Sequence, residues 1–423
     1  MDGNDEYLRL PHGMYDRDEH WIKRARVILD THDKCGEKIG CKVKKYSPLG
    51  FSSTFIKGAN TATDKVYKFN SKTGKSLMLS CDSTPSIFRE YVNSTQGEPK
   101  RISFVAPLFR YRKSHTRNFT QIGYSIINEK KAETDNVDIR LIEISKAMVN
   151  LCQSIGLKPQ IHLNDYGALR NILSQYISEE ELPGALHKLQ FATQKDRIEF
   201  FKTHIKDEEV CNQMIDLFSR ETVKVEEGDV KENKLNLPKE YKNIYKMAVG
   251  LNYITGADIY FNPTDLHSIE TIDNYALRFK TENGTNLGDG GEYTNYAKRF
   301  NDKITSFWSV ASGVEALERN SPEFEINTIK NKIAVCNIDA SSEFVLEAIK
   351  ALEELGDTVS YTGQVKNIGK TIKRLKDKYT HIVVLGKAEE VGENIKVKCL
   401  ETGEIMELKS PVNKINIDFE EER

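Results

Sequence analysis

The sequence predicts an α+β fold, in which an antiparallel sheet flanked by helices is followed by a smaller α/β domain. Two patterns predict it. Strand-like runs follow one another between residues 43 and 127, whereas strand and helix patterns alternate regularly after residue 333. A composition shift near residues 320–331 separates the two patterns. We therefore expect domains at residues 1–325 and 326–423, the first with a helical insertion at about 165–245.

The first half of the larger domain contains most of the expected strands. Apolar residues at helical spacing predict a helix over residues 20–35. Alternating apolar residues and turn residues predict an extended stretch, a hairpin, a short helix and two longer strands. These elements are expected at residues 43–48, 66–69 with 76–79, 85–91, 102–111 and 118–127.

The second half begins with a helix at residues 138–155, where a broad apolar stripe indicates burial on one face. A strand at 159–163 and a largely helical stretch at 165–218 follow, and residues 219–239 form a charge-rich excursion. Further strands are expected around 250–261 and 275–280, then a glycine-rich turn at 288–291 and a helix at 308–318.

The smaller domain has the clearest pattern. Strands are predicted at 333–338, 358–361 and 381–385, with helices at 343–355 and 366–378 between them, and a hairpin at 395–400 and 405–408 closes the domain. Such alternation implies crossovers onto a mostly parallel sheet.

Composition restricts the function classes. The net charge of −2 predicts no basic field that would recruit DNA or membranes, so an RNA contact would need a local basic patch. No run of about 18 apolar residues occurs, and the polar start of the chain does not resemble a signal peptide. Seven scattered cysteines lack zinc-site spacing. We expect a cytoplasmic protein without a metal site.

Several segments, in order along the chain, carry a family resemblance. FRYRKSHTRNFTQIG at residues 109–123 resembles the second signature of class II aminoacyl-tRNA synthetases, and CDSTP at 81–85 resembles a substrate-side segment. VGLNYITG at 249–256 and DGGEY at 289–293 resemble two histidine-specific motifs. Together they resemble the histidyl-tRNA synthetase family, which implies a class II synthetase-like sheet and an anticodon-binding-like last domain.

The resemblance implies where ATP would bind. Arg110 matches the arginine that contacts the α-phosphate, and Arg117 and Phe119 match the loop arginine and the adenine-stacking aromatic residue. Arg112 stands where the signature carries an acidic residue. The residues alone leave the cofactor undetermined, while the family implies ATP with Mg²⁺.

The resemblance also implies an amino-acid pocket. Asp82 and Thr84 match groups that hold the substrate ammonium, and Gln121, Tyr253 and Tyr293 match other pocket residues. Ser125 replaces a family glutamate and Ile254 a tyrosine.

Other positions depart from the family pattern. Ala316 and Val249 stand at two catalytic arginine positions, and Glu292 replaces a third arginine. Arg319 lies one turn beyond Ala316 and is expected to project from a different height on the helix. Since one lost catalytic donor costs about 10²–10³ in rate, these replacements predict loss of histidine activation.

Three functions remain open. The first is a pseudo-synthetase, a regulatory or ligand-sensing homodimer of the kind represented by the regulatory subunit of ATP phosphoribosyltransferase. The second is an ATP-dependent ligase that activates histidine or another amino acid in an altered pocket. The third is a tRNA-binding protein that uses the basic helix at 366–378. The family implies a homodimer formed through the helix at 20–35 and Pro48.

Overall fold

The computed structural model describes residues 8–57, 66–94, 97–111, 116–129, 137–220, 222–225, 237–323, 332–353, 358–392 and 394–409. The chain divides into two compact units, Met1–Phe324 and Glu325–Arg423. The first unit contains a nine-stranded sheet with the order β1-β5-β6-β12-β11-β10-β7-β9-β8, and a small sheet with the order β2-β4-β3. Two neighbouring pairs, β1 with β5 and β7 with β9, are parallel, whereas the other pairs are antiparallel.

The strands of the first unit are β1 Lys42–Lys45, β2 Leu49–Phe51, β3 Lys68–Asn70, β4 Ser76–Leu79, β5 Lys100–Phe109, β6 Asn118–Ile127, β7 Gln160–Asp165, β8 Val223–Lys224, β9 Ile259–Phe261, β10 Tyr275–Lys280, β11 Asn286–Glu292 and β12 Phe307–Gly313. Its helices are α1 Glu19–Glu37, α2 Ser52–Ile56, α3 Thr84–Ser94, α4 Ile139–Ser154, α5 Tyr166–Leu173, α6 Leu182–Phe191, α7 Gln194–His204, α8 Glu208–Ser219, α9 Ile244–Thr255, α10 Thr294–Phe300 and α11 Val314–Asn320, with a 3₁₀ turn at Lys239–Tyr241.

The two faces of the large sheet differ in what covers them. Ile122 and Tyr124 of β6 pack with Met148 of α4 and Ile28 of α1 in the main core. Because side chains alternate along a strand, Phe119 and Gln121 belong to the opposite face. On that face α3 and α10 cover one end, where Phe88 is fully buried among other aromatic side chains. The remainder of this face carries the cleft described below.

Three sequence expectations on this unit were wrong. The expected strand around 250–261 is mostly helix α9, because Met247, Ala248 and Leu251 give it a buried helical face and Gly256 ends it in the left-handed region at φ 68°. The expected glycine turn is strand β11, where a Cβ at Gly290 would lie 2.4 Å from a carbonyl oxygen of β12. The expected helix at 308–318 is strand β12 followed by α11.

The second unit has a five-stranded sheet with the order β14-β13-β15-β16-β17. Its three first strands are parallel, and the closing hairpin is antiparallel, as the sequence predicted. The elements are β13 Lys332–Asn337, α12 Ser342–Glu353, β14 Thr358–Gln364, α13 Ile368–Leu375, β15 His381–Leu385, α14 Lys387–Val391, β16 Asn394–Cys399 and β17 Ile405–Lys409.

Within these described residues, the helices are all too short or too polar to cross a lipid bilayer.

Candidate functional site

A cleft of about 770 Å³ opens on the sheet face formed by β6, β12 and β11. This volume is within the ~300–1,000 Å³ range of small-molecule sites. Of the residues singled out in the sequence, Arg110, Phe119 and Gln121 line it, as do Ala316 and Arg319. The antiparallel pairing of β5 with β6 brings the ends of these strands together, since Leu108 lies opposite Phe119.

Arg110 follows β5 directly and is held at the cleft by two contacts. Its Nε donates a hydrogen bond of 2.7 Å to the carbonyl oxygen of Cys81. Its guanidinium carbon lies 5.2 Å from the centroid of the Phe119 ring. A cation beside an aromatic surface is suited to a nucleotide, which needs a positive charge for phosphate and a flat surface for its base.

Arg117 has a different position. Its guanidinium carbon lies 4.2 Å from the Tyr111 ring centroid, and its backbone N–H donates to the carbonyl oxygen of Gly13 at 2.8 Å. The cleft lining does not include Arg117. The structure therefore does not bring the Arg117 side chain to the cleft, because stacking on Tyr111 holds it elsewhere. Arg112 lies outside the described residues.

Of the residues that the resemblance assigns to the amino acid, Gln121 lines the cleft, whereas Asp82, Thr84 and Tyr293 are not part of its lining. Ser83 Oγ donates to Gln121 Oε1 at 2.7 Å, and the Thr84 backbone N–H donates to Asp82 Oδ1 at 3.1 Å. Burial raises the pKa of Tyr293, and the negative charges of Asp289 and Asp82 raise it further. The 81–85 segment is therefore tied to the cleft through the bond from Ser83 to Gln121.

Two serine hydroxyl groups are buried on the sheet face that also carries Gln121. Ser125 of β6 lies opposite Ser309 of β12, and their Oγ atoms are 2.9 Å apart. Both residues are buried. A hydroxyl pair can donate and accept hydrogen bonds but carries no charge, unlike the glutamate that the family resemblance placed at Ser125.

Helix α11 forms the opposite wall. Both carboxylate oxygens of Glu315 accept from the backbone N–H of Thr120, at 3.2 and 3.0 Å. Burial raises the pKa of Glu315, whereas its hydrogen bonds and the charges of Arg17 and Arg319 lower it. Arg319 lines the same cleft as Ala316, one turn further along α11.

The segment that resembled the first histidine-specific motif lies elsewhere. Val249 and Tyr253 are on α9, and the Tyr253 side chain is 84% exposed. Helix α9 packs on α4, where a side chain at Gly250 would meet Ile142. The structure therefore does not bring Tyr253 or Val249 to the cleft, because the apolar face of a helix fixes them on another surface.

Glu292 also has a structural role. It is buried, and its carboxylate accepts from Asn274 Nδ2 at 2.6 Å and from Thr294 Oγ1 at 3.1 Å. It is not part of the cleft lining. The expected reversal of charge inside the pocket is therefore not found at this residue.

Sequence reasoning missed part of the wall. His12 and Tyr15, from the segment before α1, line the cleft together with Asp289. The guanidinium carbon of Arg17 lies 5.6 Å from the Tyr15 ring centroid and 4.7 Å from that of Trp21. The position of His12 and Tyr15 depends on tertiary docking, and the expected turn at 288–291 concealed that Asp289 lies on strand β11.

The cleft suits a nucleotide better than a resident metal ion. In the described residues no group of three or more His, Cys, Asp or Glu side chains is arranged to hold a metal. Mg²⁺ that arrives with ATP needs only one or two protein carboxylates. Asp289 and Glu315 are the carboxylates in the lining, so they are the residues that would face such an ion.

Comparison with known proteins agrees with the fold. A sequence profile of the histidyl-tRNA synthetase family matches residues 14–307. A histidine–tRNA ligase from Sulfurisphaera tokodaii is 25% identical over 84% of this chain and 85% of its own length. One from Metallosphaera sedula is 23% identical over 92% and 93%.

Solved structures have the same architecture. An ATP phosphoribosyltransferase regulatory subunit/histidyl-tRNA synthetase from Bacillus halodurans superposes with a TM-score of 0.72, at 16% identity, over 90% of this chain and 98% of its own. Histidyl-tRNA synthetase from a Nostoc species gives 0.69, at 14% identity, over 95% and 97%. The predicted class II synthetase-like fold is confirmed, and the chain belongs to the histidyl-tRNA synthetase family.

Proposed function

We propose that this protein is a cytoplasmic, non-aminoacylating member of its family that binds an adenine nucleotide and a small amino-acid-like ligand and acts as a regulatory sensor. The observation that carries the proposal is Ala316 on the wall of the cleft, at the position where the third class II signature has an arginine. A methyl group supplies no charge to the nucleotide.

Binding and activation make different demands on the site. Binding needs a cation, an aromatic surface and polar contacts, and Arg110, Phe119 and Gln121 supply them. Activation needs additional positive charge where the α-phosphate reacts, and each missing donor costs about 10²–10³ in rate. The cleft therefore favours retention of ligands without efficient adenylation.

The buried serine pair on the same sheet face supports the same proposal. Ser125 and Ser309 bond to each other rather than presenting a carboxylate to the ligand. Asp82, Tyr293 and Gln121 remain as polar contacts for an amino acid, and Thr84 contributes through its position beside Asp82. The ligand is therefore amino-acid-like, with no preference for histidine.

An ATP-dependent amino-acid ligase is the second candidate, and Arg319 favours it. This residue lies on the same wall as Ala316, one turn further along α11. A guanidinium at that point can replace the missing cation if it reaches the phosphates. In this case Arg110 and Arg319 would share the charge that builds up during adenylation, and Arg117 would join them only after a movement of its loop.

A tRNA-binding protein is the third candidate. On α13 Thr371 and Leu375 are buried, whereas Lys370, Lys373 and Arg374 are all exposed on the opposite side. Clustered cations of this kind attract phosphate, and their binding weakens steeply with salt. A salt-dependent gel shift with total tRNA supports this function, whereas the absence of a shift at low salt eliminates it.

We also propose a homodimer through α1 and the strand after it. Strand β1 is at the edge of the nine-stranded sheet, and Ile22, Val43 and Phe51 in this region expose apolar side chains. Exposed apolar residues beside a strand edge are typical of an interface. Light scattering at micromolar concentration should give the mass of a dimer, and a monomer would contradict this part of the proposal.

The decisive experiment is pyrophosphate exchange with ATP and each amino acid in turn, together with calorimetric titration of ATP. The proposal predicts that ATP binds but no amino acid supports exchange. Exchange that disappears in Arg319→Ala and persists in the exposed control Arg89→Ala on α3 would establish the ligase instead. If ATP does not bind either, the nucleotide part of both proposals fails.

A further inference from the structure

A second cleft, of about 970 Å³, lies between the helical insertion and the sheet domain. Its walls are the start of α6, the loop at residues 269–273 and the last turn of α10. It shares no lining residue with the first cleft. Ligand-binding pockets occur frequently at interfaces between the parts of a fold, such as domains and insertions.

Several charged groups in this cleft are already hydrogen-bonded to neighbouring groups. The Arg170 guanidinium donates to the backbone carbonyl oxygens of Asp273 and Ile269. His187 bonds to the Glu270 carboxylate. Asp273 Oδ2 accepts from the Asn295 backbone N–H at 2.7 Å. These bonds hold the loop and the helices in place and occupy donors and acceptors that a ligand would otherwise use.

Helix α10 carries two cationic side chains that are available to a ligand. Lys298 and Arg299 are both exposed, and neither forms an ion pair with a carboxylate in the part of the chain that the structure describes. The weak bond of 3.4 Å from Arg299 Nη2 to the Glu270 carbonyl oxygen leaves most of its donors available. Glu179 is the one lining carboxylate without a bond in the described residues, so Lys298 and Arg299 outnumber it among the charged groups whose hydrogen-bonding atoms remain available to a ligand.

The surface facing these cations is apolar. Leu182, Pro183 and Leu186 of α6 and Ile269 of the loop belong to the lining. A ligand that fills this cleft therefore meets a hydrophobic surface on one side and ammonium and guanidinium groups on the other. Guanidinium groups bind carboxylate and phosphate through paired, charge-assisted hydrogen bonds.

We infer that the second cleft binds a small amphiphilic anion, a molecule with an apolar body and one carboxylate or phosphate group. The inference does not depend on the function proposed for the first cleft. It assigns the apolar body to α6 and Ile269, and the anionic group to Lys298 and Arg299.

The test uses the full-length protein and octanoate, with octylamine as a probe of equal chain length and opposite charge. Calorimetric titration should show octanoate binding at least about tenfold more tightly than octylamine, because only the anion pairs with the two cations. The double variant Lys298→Ala/Arg299→Ala should weaken octanoate binding by about tenfold or more. Equal affinity for the two probes, or no change in the double variant, would overturn the inference.

Two controls test whether octanoate binds in the second cleft. The double variant Lys195→Ala/Lys202→Ala removes two exposed cations from α7, outside the cleft, and should bind octanoate like the original protein. Saturating ATP should leave octanoate binding unchanged, and displacement by ATP would place the anion in the first cleft and overturn the assignment. Because ATP affinity is measured separately, failure of the nucleotide proposal is distinguishable from failure here.

Discussion

The Arg110 guanidinium lies over the Phe119 ring, 5.2 Å from its centroid, while its Nε is bonded to the carbonyl oxygen of Cys81. A guanidinium has five N–H donors. In the described part of the chain only Nε is used, so the other donors are available to an anion. The pair therefore combines a fixed cation with an aromatic surface at the mouth of a cleft.

Replacing Arg110 tests this pair. Arg110→Ala should weaken ATP binding by about 10- to 100-fold, because hydrogen bonds to charged groups contribute about 1.5–3 kcal/mol each. Calorimetric titration measures the change. Arg89→Ala, an exposed arginine on α3 outside the cleft lining, is the matched control and should bind ATP normally. Unchanged binding by Arg110→Ala would remove the nucleotide from this cleft.

Placing a guanidinium at position 316 tests whether the cleft lacks a cation there. Ala316→Arg should tighten ATP binding by about tenfold, because a new cation reaches the cleft wall. Ala316→Gln adds a side chain of comparable length without charge, so it should not tighten binding. Equal effects of the two variants in the same titration would show that charge at this position is not what the site lacks.

The core of the cleft was predictable from the family resemblance, which assigned Arg110, Phe119 and Gln121 to one site. The structure brings them together because β5 and β6 pair antiparallel and side chains alternate along each strand. The smaller domain was predictable from periodicity, since each of its strands and helices has a clear period. The order of the strands in the large sheet could not be read from the sequence, because strand pairing depends on contacts far apart along the chain.

The sequence could not predict elements in which a motif or a residue type indicates one structure and tertiary packing favours another. Residues 249–256 resemble a family motif, but they lie at the end of the amphipathic helix α9. Burial of Leu251 on the side of α9 that packs on α4 determines their conformation. In β11, glycines that usually indicate a turn allow strands to approach closely. The contribution of His12 and Tyr15 depends on tertiary docking of the first residues, for which no local pattern exists.

Arg24 joins the first helix to the end of α11, and its loss should destabilise the larger domain. It is almost fully buried and donates to Glu318, to Ser321 and to the Pro322 carbonyl oxygen, with Nη2 to Ser321 Oγ at 2.7 Å. Arg24→Ala should lower the free energy of unfolding by about 2–4 kcal/mol, since the partly buried Glu318 carboxylate and the buried Ser321 lose their cationic donor.

Urea unfolding followed by tryptophan fluorescence measures this change, because Trp21 and Trp308 are both in the larger domain. Arg26→Ala, an exposed arginine on the same helix, should change the unfolding free energy by less than about 0.5 kcal/mol. Equal stability of Arg24→Ala and Arg26→Ala would mean that the Arg24 contacts do not hold α11 in place.

His162 should make the stability of the larger domain depend on pH. Its ring stacks on Tyr260 with 5.2 Å between centroids, and neither ring nitrogen has a hydrogen-bond partner in the described residues. Burial, with the positive charge of Lys280, lowers its pKa from 6.5 to about 4. Between these values the unfolded chain binds more protons, so the contribution is complete above pH 6.5 and is lost as the pH falls towards 4.

His162→Phe keeps an aromatic ring against Tyr260 but cannot be protonated. The original protein should therefore lose about 1–2 kcal/mol more of its unfolding free energy than His162→Phe between pH 7.5 and about pH 4, after allowance for partial solvent exposure. Urea unfolding at several pH values measures both proteins. Other acid-sensitive groups are common to the two chains, so their effects cancel in the comparison. Parallel pH profiles would show that His162 is protonated equally easily in the folded and unfolded protein, and the burial of its ring nitrogens would then have no energetic consequence.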